Sequence, residues 1–88
     1  MNVKDRVAIV TGSGSGIGQA IVKRLAEHGA KTIVVDINVD NADKTAAEIR
    51  ANKGAATGIG CNVTVKVEVQ AMVQQVIDQH GQIGRAHV

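Results

Sequence analysis

Residues Thr11 to Gly18 read TGSGSGIG, with a glycine at every second place, between the apolar run Val7-Ala8-Ile9-Val10 and the segment IGQAIVKRLAEHG. Glycine is favoured where the backbone must take positive φ, or where something must come closer than a Cβ allows. The run from Arg6 to Thr11, bounded by Lys4-Asp5-Arg6 and Gly12, reads as a strand buried on both faces of a parallel sheet. Beyond the glycines, Ile17, Ile21, Leu25 and Ala20, Val22, Ala26 recur at helical spacing, and Gly29 supplies a C-terminal stop. A glycine turn between strand and helix gathers several backbone N–H groups and the positive end of a helix dipole around one point. Such a place accommodates phosphate.

The pattern repeats twice more. Lys31 to Ile37 is a second β-branched run, closing on the carboxylate of Asp36. Asp40 to Lys53 has Ala42, Ala46 and Ile49 on one face, acids early, bases late, and Gly54 to end it. Ala55 to Val63 is a poorer strand, diluted by Gly58 and Gly60. Thr64 is placed as an N-cap, and Val69, Met72, Val73, Val76 and Ile77 form a wide helical face that ends at His80-Gly81. The order β-α-β-α-β-α predicts an α/β fold with a parallel sheet, right-handed crossovers and helices on the sheet faces.

Composition narrows the functional classes. At 88 residues the chain is at most one small domain, and such a chain buries only about 60–65% of its unfolded surface. It is 44% hydrophobic and 20% charged, within the range of globular domains. There is no aromatic residue, so no platform for base stacking, and the net charge of +2 is spread singly, so neither a nucleic-acid footprint nor a basic membrane patch is expected. No apolar run approaches a membrane span or a signal-peptide core, and a cytoplasmic location is expected. Cys61 stands alone, which rules out an internal disulfide and a thiolate metal site; it reads as a small buried hydrophobe. His28 and His80 each precede a helix-ending glycine and read as structural, and no residues have metal-ligand spacing.

The loop spacing selects among phosphate-binding patterns. GxxxxGK[ST] fails because no Lys-Ser or Lys-Thr follows the glycines, and GxGxxG fails because Ile17 and Gln19 stand where a glycine is required. TGxxxGxG fits, with Gly12, Gly16 and Gly18 in the fixed places. Over residues 3 to 82 the chain resembles the short-chain dehydrogenase/reductase family, whose cofactor loop is TGxxxGIG after the first strand. The resemblance implies the N-terminal half of a doubly wound parallel-sheet (Rossmann) fold. It also implies a tight turn at Gly12, close approach of a pyrophosphate at Gly16 and close helix packing at Gly18. Gly14 occupies a variable place and is expected to be dispensable. An acid at the end of the second strand takes the adenosine ribose hydroxyls in that family, and here Asp36 holds the place. The family's Asp-Val pair after the third strand is Asn62-Val63 here: a carbonyl acceptor remains but the charge is gone. Asn62 is equally good turn chemistry ahead of a helix, and that alternative stays open.

The implied cofactor-binding residues are Gly12, Ser13, Ser15, Gly16, Ile17, Gly18, Asp36, Ile37, Asn62 and Val63. A carboxylate at 36 would repel the 2′-phosphate of NADP, and the places where phosphate-preferring relatives carry a basic residue hold Ser15 and Ile37. NAD is therefore the expected cofactor. The resemblance implies hydride transfer between nicotinamide and a carbonyl or alcohol of a small-molecule substrate, in a parent that is a homo-oligomer. The family's acid/base is a Tyr in a YxxxK pair, and this sequence contains no Tyr; its Asn-Asn-Ala-Gly stretch is missing as well. No catalytic residue is assigned. The chain is expected to be a cofactor-binding fragment, inactive alone and binding NAD weakly or not at all. A second reading is a non-catalytic dinucleotide-binding sensor or structural module; a YxxxK further along the parent gene separates the two.

Residues 1–82 are read as a partial dinucleotide-binding domain and 83–88 as a non-native tail, because Ile-Gly-Arg-Ala-His-Val is what a common sequencing-library adapter encodes when read in frame. Loss of the family's fourth strand is then expected to leave Val7 to Val10 as an open apolar edge.

Overall fold

In the computed structural model, which describes residues 3–81 and 86–87, the order is β1 (Val7–Thr11), α1 (Gly16–Glu27), β2 (Lys31–Asp36), α2 (Val39–Ala51), β3 (Ala55–Gly60), α3 (Lys66–His80) and β4 (Ala86–His87). The strands form one parallel sheet in the order β3-β2-β1-β4. The expected alternation of strand and helix is what forms, and the glycine turn sits where β1 leaves the middle of the sheet.

Strand alternation divides the core in two. Ala8, Val10 and Val34 face one side with Val22 and Leu25 of α1 and Ala42, Ala46 and Ile49 of α2. Val7, Ile9, Ile33 and Val35 face the other with Ile59, Cys61 and Met72 and Val76 of α3. β1 is therefore buried on both faces, as a continuous apolar run in a parallel sheet must be. Burying a Val or Ile of this kind contributes about 1.5–3 kcal/mol, so the two strand centres are the main source of stability in a chain without aromatic side chains.

The glycines that weaken β3 have a packing reason. A Cβ on Gly58 would lie 3.0 Å from the Ala42 carbonyl oxygen, and one on Gly60 would lie 2.8 Å from Val39 Cβ. α2 presents Ala42 to Gly58 and Val39 to Gly60, so the bare backbone of β3 lets the helix settle on the strand. Lys23 and Glu48 join α1 to α2 at 2.6 Å, and the Lys23 ammonium holds the Glu48 carboxyl below the usual carboxylate range. Both side chains are well exposed, so the pair orients the helices more than it stabilises them.

Four expectations change. Ile17 is 82% exposed and Ala20 is also outside the core, because α1 buries only Val22 and Leu25 fully, with Ile21 and Ala26 packed beside them. The N-cap of α3 is Val65; Thr64 instead donates its N–H and hydroxyl to Asn62 Oδ1. α2 stops at Ala51, and the left-handed residue after it is Lys53 (φ 67°) rather than Gly54, whose missing Cβ makes room for Ile49. β1 is not an open edge along its whole length, since β4 pairs with it in parallel at Ala8↔Ala86 and Ile9↔His87. A ladder uses only backbone N–H and C=O groups, so these two residues can fill the place whatever their side chains. The reading of 83–88 as a tail otherwise falls on residues outside those described. Among the described residues no helix is long and apolar enough to cross a membrane.

Lys53 is exposed in a conformation that costs a side-chain-bearing residue about 1–2 kcal/mol, and Asn tolerates it better. Lys53→Asn is expected to raise stability by about 0.5–1 kcal/mol, read as a higher urea midpoint; an unchanged or lower midpoint contradicts the account. Cys61 is only 4% exposed, and burial pushes its thiol up, with Glu68 adding to the shift. In the folded chain it is expected to react with a thiol reagent at mildly alkaline pH at least about tenfold more slowly than in urea; equal rates would place the thiol at the surface.

Candidate functional site

The site forms where β1, β2 and β3 deliver the chain to their following helices. In the first turn Gly12 (φ 64°) and Gly16 (φ 60°) both take the left-handed conformation, and a Cβ at either would meet nothing within 4 Å. These two positions need glycine for backbone conformation and leave the space beside them open. Gly18 has the opposite reason: a Cβ there would fall on the Gly12 carbonyl, so its absence lets α1 start directly against the turn.

Ser13 is turned inward and fully buried. Its hydroxyl donates to the Val10 carbonyl at 2.6 Å and accepts from the Val35 N–H at 3.1 Å, while its own N–H donates to the Val35 carbonyl. Its side chain is spent on tying the turn to β1 and β2. Ser15 is exposed and is the N-cap of α1, yet its side chain caps no N–H. The first amides of a helix have no partner within it, so those of α1 remain available to an anion, with the helix dipole behind them.

Asp36 reaches back from the end of β2 to this turn. Its Oδ2 accepts from the Gly14 N–H at 3.0 Å and its Oδ1 from the Asn38 N–H at 3.0 Å. Asn38 in turn caps α2 through the Asn41 N–H at 3.1 Å. One carboxylate thus fixes the glycine turn and the start of α2, and each oxygen keeps further acceptor capacity. Gly14 is not dispensable. It is buried, and a Cβ there would lie 2.8 Å from Asn41 Cβ and 2.9 Å from Asp36 Oδ2.

Asn62 takes the turn role. Its Oδ1 accepts from the Thr64 N–H at 3.0 Å and hydroxyl at 2.6 Å, its carbonyl accepts from the Val65 N–H, and its N–H donates to Glu68 Oε1 at 3.1 Å. Its side-chain acceptor is therefore already engaged. Ile17, Ile37 and Val63 are 82%, 71% and 51% exposed, each at the turn that follows one of the three strands. They give this end of the sheet an apolar margin beside the amides of α1.

Three contributors were not legible as site residues. Asn41 packs on Gly14, Thr45 donates its hydroxyl to the Gly14 carbonyl at 3.1 Å, and Gln19 Nε2 donates to Thr45 Oγ1 at 3.0 Å. The signal for Thr45 was present: it shares a helix face with Ala42, Ala46 and Ile49, and a hydroxyl on an apolar face needs a partner. Among the described residues no group of three or more His, Cys, Asp or Glu could hold a metal ion. A cleft of about 360 Å³ lined by Lys23, Glu48, Asn52 and Lys53 lies at the other end of α1 and α2, away from the glycine turn.

A family model described as short chain dehydrogenase matches residues 6–85. The chain is 44% identical over 80 residues to the short-chain reductase protein NovJ of Streptomyces niveus, covering 91% of this chain and 30% of that protein. It is 40% identical over 78 residues to D-threitol dehydrogenase of Mycolicibacterium smegmatis, covering 89% of this chain and 30% of that one. Hydroxysteroid dehydrogenase from Escherichia coli matches in structure with a TM-score of 0.90 at 34% identity, over 93% of this chain and 35% of the other. A 7α-hydroxysteroid dehydrogenase complexed with NADH and 7-oxo glycochenodeoxycholic acid matches with a TM-score of 0.89 at 34% identity, over 93% and 32%. The chain spans about a third of the length of these relatives. Their common ground is the part built here, from the first strand through the third helix, and on that ground the chain belongs to the short-chain dehydrogenase family.

Proposed function

We propose that this chain is the NAD-binding N-terminal portion of an oxidoreductase that moves hydride between nicotinamide and a carbonyl or alcohol carbon of a small molecule. The observation that carries the reading is the seating of Asp36 against Gly14, which puts a carboxylate beside the unsatisfied amides of α1. The residues fit a dinucleotide: Gly12 and Gly16 leave open space at the helix N-terminus, Ser15 leaves its amides uncapped, and Ile17, Ile37 and Val63 supply apolar surface for an adenine ring. A structural relative complexed with NADH lends support to a nicotinamide cofactor.

Each part of the chain then has a task. The turn from Gly12 to Gly18 and the first amides of α1 hold the diphosphate. Asp36 accepts hydrogen bonds from the ribose hydroxyls with the acceptor capacity left after Gly14 and Asn38, and its charge disfavours a 2′-phosphate. Asn62 shapes the turn into α3, leaving the side chain of Val63 as the apolar contact. When bound, the cofactor supplies the hydride acceptor or donor; the proton-transfer groups and the substrate pocket belong to sequence beyond this chain, which has no Tyr to offer.

The test is a cofactor swap in the full-length protein. Losing hydrogen bonds to a charged group costs about 1.5–3 kcal/mol, so Asp36→Ala is expected to raise KM for NAD about 10- to 100-fold. Adding Ile37→Arg to it is expected to lower KM for NADP below that for NAD. A KM for NAD unchanged by Asp36→Ala would remove Asp36 from the cofactor site.

A further inference from the structure

Gly14 is held at both of its peptide groups. Its N–H donates to Asp36, and its carbonyl accepts from the hydroxyl of Thr45, which is fully buried in α2. The Thr45 hydroxyl can donate only one hydrogen bond, and the bond it accepts from Gln19 Nε2 fixes which way that proton points. The three groups form one directed chain, Gln19 amide to Thr45 hydroxyl to Gly14 carbonyl, and a chain of this sort polarises each member. It runs from α1 through α2 to the glycine turn.

The direction of the Gly14 carbonyl decides the direction of something else. In a trans peptide the C=O and the following N–H point to opposite sides of the chain, and the N–H opposite the Gly14 carbonyl is that of Ser15. Since Thr45 draws the carbonyl inward beneath α2, the Ser15 N–H is turned outward, at the exposed N-cap of α1. Ser15 thereby joins the free amides of the first turn of that helix as a donor to an anion.

We propose that Thr45, oriented by Gln19, is a positioning residue that aims the Ser15 N–H at the diphosphate. This rests on the dinucleotide reading given above. It predicts a selective effect: Thr45 governs affinity for ligands that carry a diphosphate and not for the nucleoside portion, which meets Asp36 and the apolar margin. A side chain that merely held α2 in place would affect both alike.

The experiment is an amide NMR titration of the full-length protein with ADP and, separately, with adenosine, for wild type, Thr45→Val, Thr45→Ser and Gln19→Leu. In wild type the Ser15 resonance is expected to shift with ADP. Thr45→Val, which keeps shape and removes the hydroxyl, is expected to weaken ADP binding about tenfold and leave adenosine binding unchanged; Thr45→Ser restores the ADP affinity, and Gln19→Leu gives a smaller loss in the same direction. ADP affinity unchanged in Thr45→Val, an equal loss for adenosine, or no rescue by Ser overturns the proposal while leaving the dinucleotide reading intact. A wild-type full-length protein in which ADP shifts no amide of the turn overturns both. If Thr45→Val does not fold, Gln19→Leu decides, because it leaves Thr45 in place: a loss confined to ADP supports the proposal, and no loss or a shared loss overturns it.

Discussion

The hydrogen bond from the Gly14 N–H to Asp36 joins two parts of the chain that lie 22 residues apart in sequence. A charge-assisted bond of this kind is roughly twice as strong as a neutral one, and here it ties the glycine turn to the end of β2. The same carboxylate accepts from Asn38, which caps α2, so the start of that helix and the conformation of the glycine turn depend on one side chain. α2 then carries Asn41 and Thr45 to the other side of Gly14. The turn is gripped between strand end and helix, with the N-terminus of α1 directly beside it.

This grip is possible because glycines let α1 and α2 rest on the backbone they cover. The chain has no aromatic side chain to hold layers apart. Ala42 and Val39 lie over Gly58 and Gly60 of β3, and Gly18 lets α1 begin on top of the Gly12 carbonyl. Bulk is kept for the strand centres, where Val10, Ile33, Val34 and Val35 are almost wholly buried. The arrangement places glycines where β1 hands over to α1, which is where a cofactor would be held.

Much of this could be read from sequence because it follows local rules. The β1 run, the three motif glycines and the acid closing β2 are each set by neighbours a few residues away. What could not be read depends on contacts between distant segments. Gly14 looked variable, since its neighbours Asn41 and Asp36 arrive only when α2 folds over the turn. Ile17 fitted the apolar period of α1 but stands exposed in its first turn, so the period continued past the part of the helix that packs. Thr64 had the chemistry of a cap, and lost the place because Asn62 offered a hydrogen-bond acceptor two residues earlier. The pairing of β4 with β1 depends on backbone alone, so no side-chain pattern could announce it.

The central claim is that Asp36 and the amides of α1 together hold a dinucleotide, one at the ribose and the other at the diphosphate. A crystal structure of the full-length protein with NADH tests it most directly. The account predicts the adenosine ribose hydroxyls within about 2.5–3.0 Å of the Asp36 carboxylate oxygens, with the diphosphate oxygens on the N–H groups of the turn that ends at Gly18. A diphosphate bound away from that turn, or ribose hydroxyls that do not reach Asp36, would contradict it.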